Sequence, residues 1–561
     1  YKEGADSSVM VERTLQAAQG GPPVEGLSLT VDGKVEGGTG DDIRTQVLQA
    51  QIPILVHGPA DSVLLIDLLD GVTAGSLLRH PVKSLTVLER EPVLFEASQF
   101  FSSYNYSPAQ DSRLVRLRDA ARARLLVDPS AYDVILVAGM DPWLPQSASL
   151  LTTEGMSLLK RRLKPGGLLA LRVPVSSAGE PALRAVMRTF AGTFDSILVF
   201  RISGEDLLLL GSAEPLRLDV GWMRNVMSSS GEVSHDLRRI TVISPNEILY
   251  TFRMAGDDLR RLLGEGPGND DDRAPVEFAS MRDQTVHPNE PLLAAVETAG
   301  SSIVAYLGNY GALPGEKAEF LYNLAKSYLG IAGDPVRGKD LARELQSLGQ
   351  TVKSRWVMGE CLMQQADIDG ALGEWRGVLE LDPGNLDALF SLGTYYMDSH
   401  DYWKADPYLD KANRLYADAS VVRYNYGRNL YYLGRHPQAI TELKEARRIA
   451  LEKEKKEDYP LVDYLIGVSS HKLKKDKEAA ESLETYLKWA YTQPLTRLEV
   501  DAHIKLAEAY DNLGKRFQAH KERQKGEDLL RRLQGQAVEQ APPPTGAAAG
   551  PSGDPGTKQP R

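Results

Sequence analysis

Val63-Leu64-Leu65-Ile66-Asp67-Leu68-Leu69-Asp70-Gly71-Val72-Thr73-Ala74-Gly75 opens with four apolar residues, passes through a short mixed turn and ends in a helical pattern. A buried strand that leads through a tight turn into a helix is where nucleotide-binding α/β domains hold a cofactor. Glycines suit that turn: without a Cβ they accept positive φ and let a ligand reach the backbone at the helix N-terminus. Gly71 and Gly75 fill two of the expected places, but Asp67 and Leu69 stand at the first two. The stretch predicts a cofactor-site backbone whose ligand-facing positions have changed.

Outward from this turn, the pattern alternates strand and helix. Strands are predicted at Val63 to Ile66, Ser84 to Glu89, Arg113 to Leu117, Asp133 to Val137, Leu168 to Val173, Ile197 to Arg201 and Leu207 to Leu210. Nearly continuous apolar strands separated by helices imply a parallel sheet covered on both faces. The last two strands flank Ser203-Gly204-Glu205-Asp206 and read as an antiparallel hairpin at the sheet edge. Upstream, residues 7 to 15 and 27 to 36 alternate with period two around Asp32-Gly33, a hairpin signal, so a small β-ribbon is expected before a helix at Ile43 to Leu55. Downstream, Leu237 to Val242 and Ile248 to Phe252 read as short strands or a strand-helix mixture, Ala255 to Leu263 as a helix and Pro288 to Tyr310 as a connecting helical region. Glu89 ends the second strand 22 residues after Asp67. There its carboxylate could accept ribose hydroxyls or simply be a solvated loop acid.

With 561 residues, 42% hydrophobic and 25% charged, the chain is globular and long enough for several cores. A net charge of -11 argues against a general nucleic-acid binder. One cysteine excludes an intramolecular disulfide framework, and Cys361 lies in an apolar helical pattern as a buried structural thiol. The histidines have no metal-ligand spacing, so no metal is expected, and no apolar run reaches the roughly 20 residues that span a bilayer. The sequence opens at Tyr1 without an initiator Met, which suggests a fragment of a longer protein.

Several ordered motifs then carry a resemblance. Tyr1 to Gly4, Val31 to Glu36, Val63 to Gly75, Leu78 to Val82, Val87 to Pro92, Asp133 to Trp143, Leu163-Lys164-Pro165-Gly166-Gly167 and Asn269 to Phe278 together resemble the spermidine synthase (aminopropyltransferase) family over roughly residues 1 to 280. Within it, the similarity is to the bacterial branch fused to transporter-like membrane domains. The resemblance implies a small N-terminal β domain before a Rossmann-like methyltransferase domain, and an enzyme that transfers an aminopropyl group from decarboxylated S-adenosylmethionine to putrescine. It also implies that a membrane domain precedes Tyr1. Both domains would then be associated with a bacterial inner membrane, the cytoplasmic face favoured and the periplasm the alternative.

Carried over by position, the implied site is uneven. Remnant cofactor-binding residues would be Asp67, Gly71, Glu89 and Asp119, the last displaced by one place in Asp119-Ala120-Ala121. The family's catalytic acid after the fourth strand aligns with Ala138, which cannot accept a proton; Asp141 keeps the second acid of that element, and Asp41 with Asp42 keeps an acidic pair near the amine site. In Leu150 to Met156 the aromatic rings are gone, though Thr152 and Glu154 remain. Leu163 to Gly167, read as a helix end and turn before the fifth strand, is intact. The losses fall on chemistry and spare the framework, which implies a domain kept for shape, with no cofactor expected or, at most, S-adenosylmethionine or its decarboxylated form. An altered transferase acting through Asp67 or Asp70, or mainly by proximity, and a nucleoside-ligand sensor are the alternatives. The acidic run in Gly264 to Arg273 lacks EF-hand spacing and reads as a solvated or helix-capping loop.

The second half repeats itself. Small residues recur at Ala325, Gly359, Gly393, Gly427, Gly467 and Ala507, the first four 34 apart, followed after twelve places by Ala371, Ala405, Ala439, Ala479 and Ala519; the first unit has Arg337 instead. That period and pattern are the signature of tetratricopeptide (TPR) helix pairs, in which small residues let paired helices approach. About six units are expected over 314–534, the fourth carrying an insertion near Leu451 to Tyr459. Tyr322, Trp356, Phe390, Tyr424 and Tyr464 fall at the place that faces the groove of such an array, with Arg428, Tyr431 and His471 nearby. They read either as packing between helices or as rigid anchors for a protein or peptide partner.

The sequence therefore predicts α/β plus all-α architecture: an N-terminal β-ribbon and lead-in helix (1–60), a Rossmann-like spermidine-synthase-type domain (61–285), a connecting region (286–313), a TPR α-solenoid (314–534) and a Pro/Ala/Gly-rich disordered tail (535–561). The expected role is a degenerate, non-catalytic scaffold for protein interaction, probing no nucleic acid and no metal.

Overall fold

The computed structural model describes residues 1–4, 7–16, 24–139, 145–176, 178–273, 276, 290–453, 461–491, 494 and 496–539. Compactness divides the chain into two units, Tyr1–Glu374 and Trp375–Arg561.

The first unit begins with an antiparallel sheet of β1 (Lys2–Glu3), β2 (Ser8–Gln16), β3 (Val24–Val31) and β4 (Lys34–Gly38). Asp32 and Gly33 turn β3 into β4 with φ of 50° and 83°, the sign that a type I′ hairpin needs at both central residues. Helix α1 (Asp42–His57) follows, as predicted.

The main sheet has eight strands: β5 (Ser62–Ile66), β6 (Ser84–Leu88), β7 (Leu114–Leu117), β8 (Tyr132–Val137), β9 (Leu163–Pro174), β10 (Ser196–Arg201), β11 (Asp206–Ser212) and β12 (Phe252–Ala255). They lie in the order β12-β10-β11-β9-β8-β5-β6-β7, and β7, β6, β5, β8 and β9 are parallel. The chain leaves β5 in one direction for β6 and β7, then returns to the other side for β8 and β9. The crevice beyond the carboxyl ends of β5 and β8 is thus the topological switch point, where ligands of doubly wound sheets bind. This is a Rossmann-like α/β domain joined to all-α repeats.

Three local expectations are corrected. The β10-β11 hairpin is not at the edge: β11 inserts beside β9, and β12 adds outside β10. Leu163 to Gly167 is not a helix end; it is the start of β9, where Gly166 takes φ +75° and the register against β8 slips. Leu237 to Val242 holds no strand, since a helix occupies Gly231–Arg238; the strand comes later, at Phe252–Ala255.

Helices α3 (Thr153–Arg161) and α4 (Glu180–Thr193) cover one face of the sheet, and α5 (Gly256–Leu263) packs on α4; α2 (Val72–Leu77) follows β5. Leu64, Ile66, Ile135, Met156, Leu159, Leu171 and Phe190 meet in one buried cluster beneath α3 and α4. The acidic loop, expected to be solvated or helix-capping, caps the start of α3 and ties it to α4. Asn269 is fully buried; its backbone carbonyl accepts from Thr153 N at 2.8 Å, and its N–H donates to Thr189 Oγ1 at 2.7 Å. Arg122 Nη1 donates to Asp271 Oδ1 at 2.8 Å, and Asp271 N donates to Glu154 Oε2 at 3.0 Å.

The first repeat helices, Pro314–Ser327 and Pro335–Ser347, belong to the same unit, as does Val352–Gln364. Arg337, the departure from the repeat's Ala, explains how the first pair is held. Its buried guanidinium donates to Arg253 O on β12 at 2.7 Å and to Glu297 O at 3.1 Å, and pairs with Asp334. Tyr328 OH donates to Leu249 O at 3.0 Å. An alanine could make none of these bonds.

The second unit contains the pairs Leu386–Asp398 with Tyr402–Leu415, Ser420–Tyr432 with His436–Arg448, Leu461–Lys472 with Asp476–Ala490, and Arg497–Asn512 with Arg516–Glu539. Gly393, Gly427 and Gly467 lie directly against Leu409, Leu443 and Leu483 of their partner helices. The last helix runs to Glu539, past the predicted end of the repeats at 534; the rest of the predicted tail and most of the 451–459 insertion lie outside the described residues. Among the described residues no helix is long and apolar enough to cross a membrane.

Candidate functional site

At the switch point the backbone keeps the course that glycines would give it. Asp67, Leu69 and Gly71 all have positive φ, 69°, 53° and 81°, so two L-residues hold the left-handed conformation. Asp67 N donates to Leu88 O and Gly71 N to Leu68 O, both at 3.0 Å, which locks the turn between β5, β6 and α2. Gly75 is required for another reason: a Cβ there would lie 1.9 Å from Asn105 O.

The side chains then occupy the crevice. Asp67 lies against Gly139 at the end of β8, where a Cβ would come within 2.8 Å of its Oδ2. Leu69 is buried with Val9, Val93, Leu94 and Phe101, fastening the N-terminal sheet to the turn. Between Asp67, Arg90, Asp119, Ala121, Gly139 and Ser147 remains a cavity of about 20 Å³, enough for one water. A cleft that takes a small-molecule ligand measures roughly 300–1,000 Å³. The space between these described residues is well below that range.

Glu89 is turned inward. Leu68 N donates to its Oε2 at 2.9 Å and Glu91 N to its Oε1 at 2.8 Å, so both oxygens hold the loop. Burial pushes its carboxyl up to about 7 against the opposing pull of those amides. Asp119 is half exposed and stands 3.4 Å from Arg124. Ala138 is buried, its N–H donating to Ile66 O at 3.1 Å. Asp141 lies outside the described residues. Of the predicted cofactor residues, the structure brings Asp67 and Asp119 to this crevice; Gly71 and Glu89 support the turn beside it, and position 138 offers no proton acceptor.

A neighbouring polar cluster escaped the sequence reading. Gln46, Gln49 and Gln51 are buried on α1. Gln46 Nε2 donates to Asp70 Oδ2 at 2.5 Å, Gln49 Nε2 to Thr73 Oγ1 at 2.6 Å, and Gln51 Nε2 to Asp236 Oδ2 at 2.7 Å. His80 Nε2 donates to Gln51 Oε1 at 2.7 Å, and burial lowers its pKa to about 3, so the ring is neutral. Burial raises Asp70 to about 6, opposed by the Val72 amide and Gln46. Burial likewise raises Asp42, whose charge Arg172 partly offsets. Arg172 itself donates to Asp206 at 2.8 Å. The available signal was three glutamines set among the apolar residues of the Val47–Val56 stretch and just before it.

The groove candidates divide by unit. In the first, Tyr322 and Trp356 are half-buried with ring centroids 6.1 Å apart, and Lys326 Nζ stands 5.5 and 5.6 Å from the two rings. In the second, Phe390 and Tyr424 are half-buried, with Arg428 5.6 Å over the Tyr424 ring. Tyr431 is half-buried between Tyr432 and His436. Tyr464 is 7% exposed, and its hydroxyl donates to Asp501 at 2.7 Å; it packs the helices and offers a partner little surface. His471 bridges Asp476 and Glu508 at 3.1 and 3.0 Å. Cys361 is buried and its thiol pushed up to about 12 by desolvation. Among the described residues no His/Cys/Asp/Glu group could hold a metal ion.

No protein-family model matches the chain. Polyamine aminopropyltransferase 2 of Streptomyces coelicolor is 31% identical over 185 residues, 32% of this chain and 33% of that protein. Polyamine aminopropyltransferase 2 of Pseudomonas aeruginosa is 29% identical over 178 residues, 31% of this chain and 51% of that protein. The likeness in sequence is to aminopropyltransferases. The chain spans between a third and about half of these relatives' length. Among solved structures, a spermidine synthase in complex with the transition-state analogue AdoDATO aligns with a TM-score of 0.31 at 20% identity, over 34% of this chain and 67% of that one. A MamA protein aligns at 0.28 and 24% identity, over 34% of this chain and 97% of that one. Pseudomonas aeruginosa PilF aligns at 0.32 and 17% identity, over 40% of this chain and 99% of that one.

Proposed function

We propose that the spermidine-synthase-like domain is non-catalytic and serves as a structural platform, and that the chain acts through protein or peptide contacts made by its TPR helices. The observation that carries this reading is the crevice at the switch point. Asp67 lies across it, both Glu89 oxygens are taken by backbone amides, about 20 Å³ remains, and Ala138 stands where the family's base would be. General base catalysis needs a proton acceptor within hydrogen-bond reach of the attacking amine, and alanine has none. The half-buried rings of Phe390 and Tyr424 support the interaction role, because rigid aromatic side chains anchor partners at low entropic cost.

Calorimetric titration of the whole chain with S-adenosylmethionine, its decarboxylated form and methylthioadenosine tests the first half. No saturable heat is expected at millimolar ligand. Saturable binding would reject the closed site and restore the transferase or sensor readings. For the second half, Phe390→Ala with Tyr424→Ala should reduce partner capture in cross-linking without shifting the melting of the array; undiminished capture would remove these rings from the binding surface.

A further inference from the structure

A wide groove in the α/β domain lies away from the switch point, between α3, α4 and the loop after α5. This groove measures about 600 Å³ and is lined by Ser157, Lys160, Arg161, Arg188, Gly266 and Gly268, among others. Its lining residues include three cations and no carboxylate, in a chain whose net charge is -11. Ser157, Lys160 and Arg161 are three and four places apart, so they share one face of α3. Arg188 projects from α4 on the opposite wall.

Backbone carbonyls hold two of the three cations. Arg188 Nη2 donates to Leu263 O at 2.6 Å and its Nε to Gly264 O at 3.2 Å, carbonyl partners that fix the guanidinium and leave its charge. Its Nη1 lies under Gly266, where a Cβ would come within 2.7 Å of it, so only glycine leaves that nitrogen room. Lys160 Nζ donates to Thr193 O at 2.7 Å; the one acid near it, the exposed Asp195, stands at 3.4 Å and does not line the groove. Arg161 makes no hydrogen bond or ion pair among the described residues and is exposed. Gly268 lies against Thr189 Oγ1, keeping the loop close to α4.

We propose that this groove binds a ligand bearing a diphosphate group. The Arg161 guanidinium can offer paired N–H donors to phosphate oxygens, Arg188 and the Lys160 ammonium add two further charges, and the Ser157 hydroxyl adds a neutral donor. The volume suits the group together with an organic moiety. The same chemistry is found in soluble diphosphate esters and at the headgroups of phosphorylated lipids.

The test uses the whole chain, titrated calorimetrically with inorganic pyrophosphate, and then mixed with phosphatidylcholine vesicles carrying a phosphoinositide. Saturable pyrophosphate binding is expected, weakened by added salt. Arg161→Gln, which removes one charge-assisted contact, and Ser157→Asp, which sets a negative charge against the phosphate, should each weaken it by about tenfold, with no change in melting temperature because neither side chain supports the fold. Vesicle binding displaced by pyrophosphate would assign the site to a lipid headgroup; pyrophosphate binding without vesicle binding would assign it to a soluble ester. No saturable binding by either probe, or equal binding by the two variants and the parent chain, overturns the proposal.

Discussion

Positions that favour glycine differ between the repeat helices and the switch-point turn. In the repeats, a Cβ on Gly393, Gly427 or Gly467 would come within 2.6, 2.8 or 2.6 Å of a leucine on the partner helix. In the turn, Gly75 is held in the same way by Asn105. Positions 67 and 69 ask only for a positive φ, and there the chain has Asp and Leu. Holding an L-residue in the left-handed region costs about 1–2 kcal/mol. Burying a leucine side chain contributes about 1.5–3 kcal/mol, so Leu69, packed with Val9, Val93 and Phe101, more than offsets its strain. At these positions glycine stands where a Cβ would strike neighbouring protein atoms, and Asp67 and Leu69 stand where the backbone asks only for a positive φ.

The largest effect is expected where the repeat rule is itself broken. Arg337→Ala restores the TPR consensus but removes bonds to Arg253 O and Glu297 O and leaves buried Asp334 without its cation. Breaking such a buried pair costs about 3–5 kcal/mol, read as a lower first transition in differential scanning calorimetry while the transition of the second unit stays in place. An increase in stability would mean that the first repeat follows the ordinary small-residue rule. Gly75→Ala comes next. Its methyl has backbone on the far side and nothing flexible to displace, so overpacking should cost about 3 kcal/mol. Gly427→Ala meets only the end of Leu443 and should cost about 1 kcal/mol, since a leucine can change rotamer. Equal losses would dissolve the distinction between backbone and side-chain contacts.

A pH titration probes two carboxyls buried around the switch-point turn. Glu89 and Asp70 have folded pKa values raised to about 7 and about 6 by burial. Unfolded carboxyls titrate near 4, so between roughly pH 5 and 7 the folded state binds more protons than the unfolded one. The stability these groups contribute is full below pH 4 and is lost as pH rises through 6 and 7, with a slope on the order of 1 kcal/mol per pH unit. Thermal midpoints measured from pH 5 to 8 should fall, and Glu89→Gln should flatten the upper part of the curve. A midpoint independent of pH would show both carboxyls ionised throughout.

The repeats and the parallel strands were legible because their periodicity comes from local packing, which a sequence displays directly. The switch-point turn was legible from Asp67 and Leu69, since the backbone demand there is set by neighbours in the chain. What stayed hidden depends on distant partners. Phe252-Arg253-Met254-Ala255 is too short to announce itself; it is a strand because it pairs with β10, Val199 opposite Met254 and Leu198 opposite Ala255, while Arg253 O meets Arg337 and Arg253 itself meets Glu297 at 2.9 Å. The buried glutamines of α1 read as solvent-facing until Asp70, Thr73 and Asp236 are set opposite them. Asn269 reads as a loop residue, yet its bonds to Leu151, Thr153 and Thr189 are what tie down the acidic segment.

The smallest change in stability should come from Asp67→Gly, and it bears most directly on the difference between the two kinds of glycine position. Removing the side chain relieves about 1 kcal/mol of left-handed strain, but glycine also loosens the unfolded chain by about 0.4–1 kcal/mol. The two terms nearly cancel, so the melting temperature should stay within about 2 °C of the parent. The crevice does change, because the carboxylate against Gly139 is gone. Methylthioadenosine titrated into Asp67→Gly measures whether that side chain alone bars the nucleoside. Binding gained by this variant and absent from the parent would make Asp67 the plug of an otherwise preserved site. Absence from both would show that Asp67 alone does not bar the nucleoside, consistent with an inward-turned Glu89 whose two oxygens hold the Leu68 and Glu91 amides and are not offered to a ribose.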